Sequence, residues 1–239
     1  KKILRNLAME IGQEQYYSLR FPDNIFDQGL LKSTHEEMLN ALRDVAEKGA
    51  GALSVLDEEG CALLLEEARK LSFRSCLNTI GAGEKAVTQD FKISLNFPDE
   101  TRLDEFSAAF ERQLNEAFAE LTECPVRLPY HFNDRAMLIY EEGSTGISPH
   151  KDHKCFEGVV AILTLTGSAD FYICDDRDKQ NSILLPARSG VMIMMRGANY
   201  LGMDRPFHYV ENITKERYGF GLRFNAKEVD APKSLLLQR

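Results

Sequence analysis

The sequence predicts an α+β fold, and three observations carry that reading. Leu103, Phe106, Phe110, Leu114, Ala117, Phe118 and Leu121 recur at helical spacing over residues 101–121. Two shorter segments ahead of them carry helix-start signals of their own. From Arg135 onward the texture changes to about eight short strand-like segments with turn residues between them. Such a run of strands suggests a closed or two-sheet β architecture, and a jelly roll, the double-stranded β-helix, fits it. Helices gathered ahead of the strands are then expected to pack on the outside of one sheet. The 239 residues suffice for one large domain with a sizeable core. The expected division is a mainly helical part with one or two strands over 1–134, the jelly-roll core over 135–225 and a tail over 226–239.

Taken in order, residues 2–19 read as a helix or an extended arm, amphipathic and without the apolar core of a secretory signal. Ser33, Thr34, Glu36 and Glu37 mark a helix start, because acidic side chains suit the positive end of the helix dipole. That helix carries Met38, Leu39, Leu42 and Val45 and stops at Gly49. Residues 51–56 read as a short strand. Asp57 opens a second helix, with Leu63, Leu64, Ala68 and Leu71 on one face. Gly81 and Gly83 belong to a flexible turn, since no Gly-Lys-Ser/Thr follows to make a phosphate cradle. Phe91, Ile93, Leu95 and Phe97 alternate with polar neighbours, which predicts a strand over 87–97. The expected core strands are 136–140, 147–152, 159–166, 169–174, 182–185, 191–195, 207–210 and 218–224, with a turn at Gly167 and Ser168.

Composition narrows the function. The formal charge is −8 and no dense Lys/Arg block appears, which disfavours a nucleic-acid partner. No apolar run is long enough for a membrane span. Five cysteines without a C-x-x-C pair read as reduced thiols of a cytoplasmic protein.

The chemistry gathers around His150 and Asp152. Residues i and i+2 of an extended strand share a face, so one imidazole and one carboxylate aim at one point. A second histidine from a distant strand, His208, would complete two histidines and a carboxylate on one face of a metal. That donor set leaves open positions and suits non-haem Fe(II) enzymes that use oxygen. Arg217 lies nine residues past His208, and Arg223 fifteen past it. An arginine on a neighbouring strand is what a dicarboxylate co-substrate needs, because its planar fork grips a carboxylate through two parallel hydrogen bonds. His153 is expected to point away from that face, His35 and His131 read as structural, and Arg196 suits a substrate mouth or solvent equally.

On these residues the stretch from about Arg135 to Asn225 resembles the core of the 2-oxoglutarate- and Fe(II)-dependent dioxygenases, most closely their AlkB-like branch. The family order is a Tyr-bearing strand, His-x-Asp, a distal His, then Arg-x-Asn-x-Thr-x-Arg. Tyr140 stands ten residues before His150, and Arg217 and Arg223 keep the family spacing. Gly219 and Gly221 replace the Asn and Thr, and Leu138 stands where the AlkB repair enzyme has an Asn. The resemblance implies an iron on His150, Asp152 and His208, with 2-oxoglutarate and O2 in the remaining positions. It implies that Arg217, helped by the Tyr140 hydroxyl, holds the distal carboxylate and that Arg223 serves the end nearer the iron. The implied reaction decarboxylates 2-oxoglutarate to succinate while a substrate C–H bond is hydroxylated or oxidatively demethylated. The acidic charge points to a small-molecule substrate. A nucleic-acid demethylase and a non-catalytic jelly-roll binding protein are the alternatives.

Overall fold

The computed structural model describes residues 21–230. The expected arm over 2–19 and most of the expected tail lie outside them. The first helix, α1 (His35–Lys48), starts where a capping box closes: the Thr34 side chain accepts from the Glu37 amide while the Glu37 carboxylate accepts from Thr34 N–H. It ends at Gly49, whose φ of +97° is the left-handed conformation that glycine adopts without strain. Strand β1 (Ala50–Ser54) follows, then α2 (Glu58–Arg69), capped by Asp57. Three very short strands come next, β2 (Arg74–Ser75), β3 (Thr79–Ile80) and β4 (Val87–Asp90), then β5 (Lys92–Ser94). Helix α3 (Arg102–Glu120) begins with a second capping box, between Thr101 and Asp104. The β-rich half contains β6 (Asp134–Tyr140), β7 (Gly146–His150), β8 (Phe156–Cys174), β9 (Ile183–Leu185), β10 (Val191–Arg196) and β11 (Phe207–Asn225), closed by the single turn α4 (Lys227–Asp230).

All strand pairings named here are antiparallel. One path runs β1-β10-β8-β11-β6-β5-β2. A second branch leaves the same long strands: the end of β8 pairs β9, and the start of β11 pairs β7, which pairs β4 and through it β3. Strands β8 and β11 thus belong to both halves. Residues 207–211 of β11 lie beside 170–174 of β8, and residues 219–222 lie beside 161–164. The turn expected at Gly167 and Ser168 is instead a crossing inside one continuous strand. Gly167 has φ +92°, and a Cβ there would lie 2.2 Å from the Glu216 carbonyl oxygen. Only a residue without a side chain lets the two strands pass so closely. The strand expected over 87–97 is two strands, because the chain changes partner at Phe91: β4 pairs β7, whereas β5 pairs β6.

The two faces of the sheet carry different cores. Along β10, Met192 and Met194 point to one side and Ile193 and Met195 to the other, as the two-residue period of a strand requires. Met192 and Met194 join Phe220, Leu222 and Leu163 in a cluster with Met38, Leu42, Leu64, Phe106 and Phe110 of the three helices. The helices therefore bury the outer face of the longer path. Ile193 and Met195 join Val160, Phe171, Ile173, Val210 and Tyr140 in an inner cluster. That inner face is where the candidate site lies. No helix among the described residues is long and apolar enough to cross a membrane.

Candidate metal centre

Strand β7 ends at His150, directly opposite His208 near the start of β11. The ladder thus sets the two imidazoles side by side, with ring centroids 4.2 Å apart. Asp152 lies two residues beyond the end of β7, and its Oδ2 is 3.9 Å from His208 Nε2. One donor atom from each of His150, Asp152 and His208 lies within 4.8 Å of the others. Sequence spacing had placed these three together, and the fold does so through a ladder pair and a strand end.

The tautomers suit a metal. His150 Nδ1 lies 2.9 Å from the carbonyl oxygen of Ser148, an acceptor only, so Nδ1 carries the proton and Nε2 keeps a free lone pair. His208 hydrogen-bonds the main chain at Pro206 and stacks on Phe171 at 5.8 Å. Burial, and then the neighbouring His150, push the His208 pKa down to about 4 against the opposing pull of Asp152. A neutral, oriented imidazole is what ligation requires. Sequence reasoning did not find the two acceptors, the main chain at Ser148 and at Pro206. Each sits two residues before its histidine, so a main-chain position rather than a residue type does the work.

Farther along β11 the inner face carries Arg217, opposite Tyr140 of β6. Arg217 is 1% exposed. Its Nη2 donates to Thr164 Oγ1 at 2.9 Å, and its buried Nε has no partner. Among the described residues no carboxylate forms an ion pair with it. Burial pulls its pKa down, but a guanidinium stays charged in proteins. Tyr140 is also buried, and desolvation pushes its phenol up, so it remains a hydrogen-bond donor. Gly219 comes next on the same face, and a Cβ there would lie 3.3 Å from Arg217 Nη1. A buried cation with an unpartnered Nε and bare backbone beside it has the chemistry to take an anion.

Arg223 departs from the expectation that it serves the metal end of a co-substrate. Its Nε donates to Asp134 Oδ1 at 2.7 Å, Nη2 reaches the same oxygen, and Cζ lies 4.2 Å from the Phe156 ring centroid. Its charge is matched by a cross-strand carboxylate of the chain itself, since Arg223 and Asp134 are register partners. His153 is exposed and accepts from the Cys155 amide instead of joining the triad. His131 pairs with the buried Glu111, and His35 with Glu120. Arg196 reaches Met203 Sδ at 3.2 Å.

No family model matches the sequence, and no curated protein matches it. Solved structures do. A prolyl-4-hydroxylase from Pseudomonas putida superposes with a TM-score of 0.60 at 16% identity, over 79% of this chain and 98% of that one. A 2OG-Fe(II) oxygenase family oxidoreductase from Burkholderia pseudomallei gives 0.57 at 13%, over 82% and 92%. The structure of OsALKBH1 gives 0.50 at 16%, over 73% and 97%. The fold is that of the 2OG-Fe(II) oxygenases. At such identities the likeness speaks for architecture, and the chemistry rests on the residues above.

Proposed function

We propose that this chain is an Fe(II)- and 2-oxoglutarate-dependent dioxygenase that oxidises a C–H bond of a small molecule. The observation that carries the reading is Arg217: a fully buried guanidinium with an unpartnered Nε, on the same strand as His208, inside the fold that such oxygenases share. A buried cation without an anion is costly, and a carboxylate ligand removes that cost.

In this reading His150, Asp152 and His208 hold the iron, with the protons of the two imidazoles fixed on their outward nitrogens. When bound, the iron and 2-oxoglutarate together activate O2 for C–H oxidation, by hydroxylation or oxidative demethylation. Arg217 holds the distal carboxylate through its free N–H groups, Thr164 fixes the plane of the guanidinium, and Tyr140 offers its hydroxyl. Val210, Ile173 and Phe171 form an apolar wall beside the metal ligands and limit water. Arg223, paired with Asp134, is left out of co-substrate binding. The division into a mainly helical part over 1–134 and a catalytic core over 135–225 is retained as a proposal, although β1, β4 and β5 of the first part pair directly with β10, β7 and β6.

The substrate class rests on charge. A net charge of −8 opposes a polyanion, whose binding depends on many phosphate contacts. The test is succinate formation from iron-loaded protein and 2-oxoglutarate, with a metabolite panel and with methylated oligonucleotides. Stimulation by a metabolite supports the proposal. Robust demethylation of an oligonucleotide, falling steeply with salt, would establish the nucleic-acid reading in its place.

A further inference from the structure

The three candidate ligands are not held alike. His150 and His208 are register partners, so the sheet itself fixes their separation. Asp152 lies past the end of β7 and has no ladder partner. An unconstrained carboxylate would sample many positions and bind a metal weakly. Two contacts supply the constraint. Arg205 Nη1 donates to the main-chain oxygen of Asp152 itself. Lys151 Nζ, one residue before Asp152, pairs with Asp204, one residue before Arg205. Lys151 Nζ also lies 4.7 Å from the centroid of the Phe207 ring, next to His208.

These contacts form a double clasp. Adjacent residues of one segment, Lys151 and Asp152, each engage one of the adjacent residues Asp204 and Arg205 in the segment that leads into His208. The second segment is itself anchored. Tyr200 is 1% exposed within the helix-side core, between Asn199 at φ +59° and Leu201 at φ +48°. Left-handed backbone at a leucine is strained and persists only where packing holds it.

We infer that Arg205, assisted by the Lys151–Asp204 pair, is a positioning residue that fixes Asp152 against His208 and thereby sets metal affinity and coordination geometry. The inference rests on the triad being a metal site. The two arms of the clasp are unequal. Asp204 is 74% exposed, so its pair with Lys151 is screened by solvent and contributes little. The Arg205 contact is half-buried and charge-assisted.

The experiment is anaerobic titration of the full chain with Fe(II), repeated with Co(II) so that the visible ligand-field absorption reports geometry. Arg205→Ala is expected to weaken affinity about 10–100-fold and to alter the Co(II) spectrum, the range found when a partner orienting a ligand is removed. Arg205→Lys keeps one N–H donor and should recover most of the affinity and the native spectrum, whereas a simple loss of folding would show as a lost cooperative melt. Should Arg205→Ala fail to fold, Arg205→Met decides, since it keeps the length of the side chain and removes its N–H donors, with a loss of roughly tenfold expected. Wild-type affinity and spectrum in folded Arg205→Ala, or in folded Arg205→Met, would overturn the inference. Failure of the wild-type chain to bind either metal would instead overturn the metal reading beneath it.

Discussion

Arg217 of β11 donates to the hydroxyl of Thr164 on β8 across 2.9 Å, and that neutral oxygen and the Tyr140 ring, its centroid 5.8 Å from Cζ, are the partners shown for its buried charge. A fixed cation of this kind lowers the stability of the empty protein and raises its affinity for a carboxylate. The two effects separate in a variant. Arg217→Met, similar in length and uncharged, should leave the melting temperature of the apo protein unchanged or raise it, since removing an uncompensated buried charge is neutral to stabilising. The same variant should bind 2-oxoglutarate at least about tenfold to a hundredfold more weakly, the loss of roughly 2–3 kcal/mol for a charge-assisted bidentate partner. Calorimetry on both proteins reads both quantities. A marked fall in apo stability with unchanged co-substrate affinity would assign Arg217 a structural role.

Gly219 and Gly221 make a matched pair on the same strand face. A Cβ at Gly219 would lie 3.3 Å from Arg217 Nη1, whereas one at Gly221 would lie an ordinary 3.5 Å from the Ala136 carbonyl oxygen. Gly219→Val should therefore push on the guanidinium and weaken 2-oxoglutarate binding about tenfold, within the 1–3 kcal/mol range of overpacking. Gly221→Ala should change it by less than about twofold. Equal effects at both positions would show that the space beside Arg217 is not what the glycines provide.

Gly167 tests the fold itself. At φ +92° and 2.2 Å from the Glu216 carbonyl oxygen, a methyl group cannot be placed without moving β8 away from β11. Gly167→Ala should cost on the order of 3 kcal/mol and lower the melting temperature by roughly 6–12 °C. An unchanged melt would mean that the two strands do not cross there as described.

These glycines mark the limit of what the sequence disclosed. The helix start at 33–37, the helical period over 101–121 and the stop at Gly49 were legible because each is a local pattern with its own residue signature, although the capping boxes that Thr34 and Thr101 close there were not read. His150 and Asp152 were legible as a pair because a two-residue spacing in extended chain needs no tertiary information, although β7 ends at His150 and His208 meets them only through the ladder. Long-range pairing had no such signature. Gly167 looks like any turn glycine until β11 is seen to pass over it, and Phe91 looks like mid-strand until β4 and β5 are seen to have different partners. The pairing of Arg223 was hidden for the same reason. Its partner Asp134 is 89 residues away, and only the register of β6 against β11 brings them together.

The proposed metal site of His150, Asp152 and His208 serves a co-substrate anchored at Arg217. Anaerobic Fe(II) titration followed by 2-oxoglutarate on the same sample tests both parts together. One equivalent of Fe(II) should bind, weakened greatly in His150→Ala and in His208→Ala, and retained in Arg217→Met, which should lose only the second binding event. Iron affinity unchanged in both histidine variants would contradict the account.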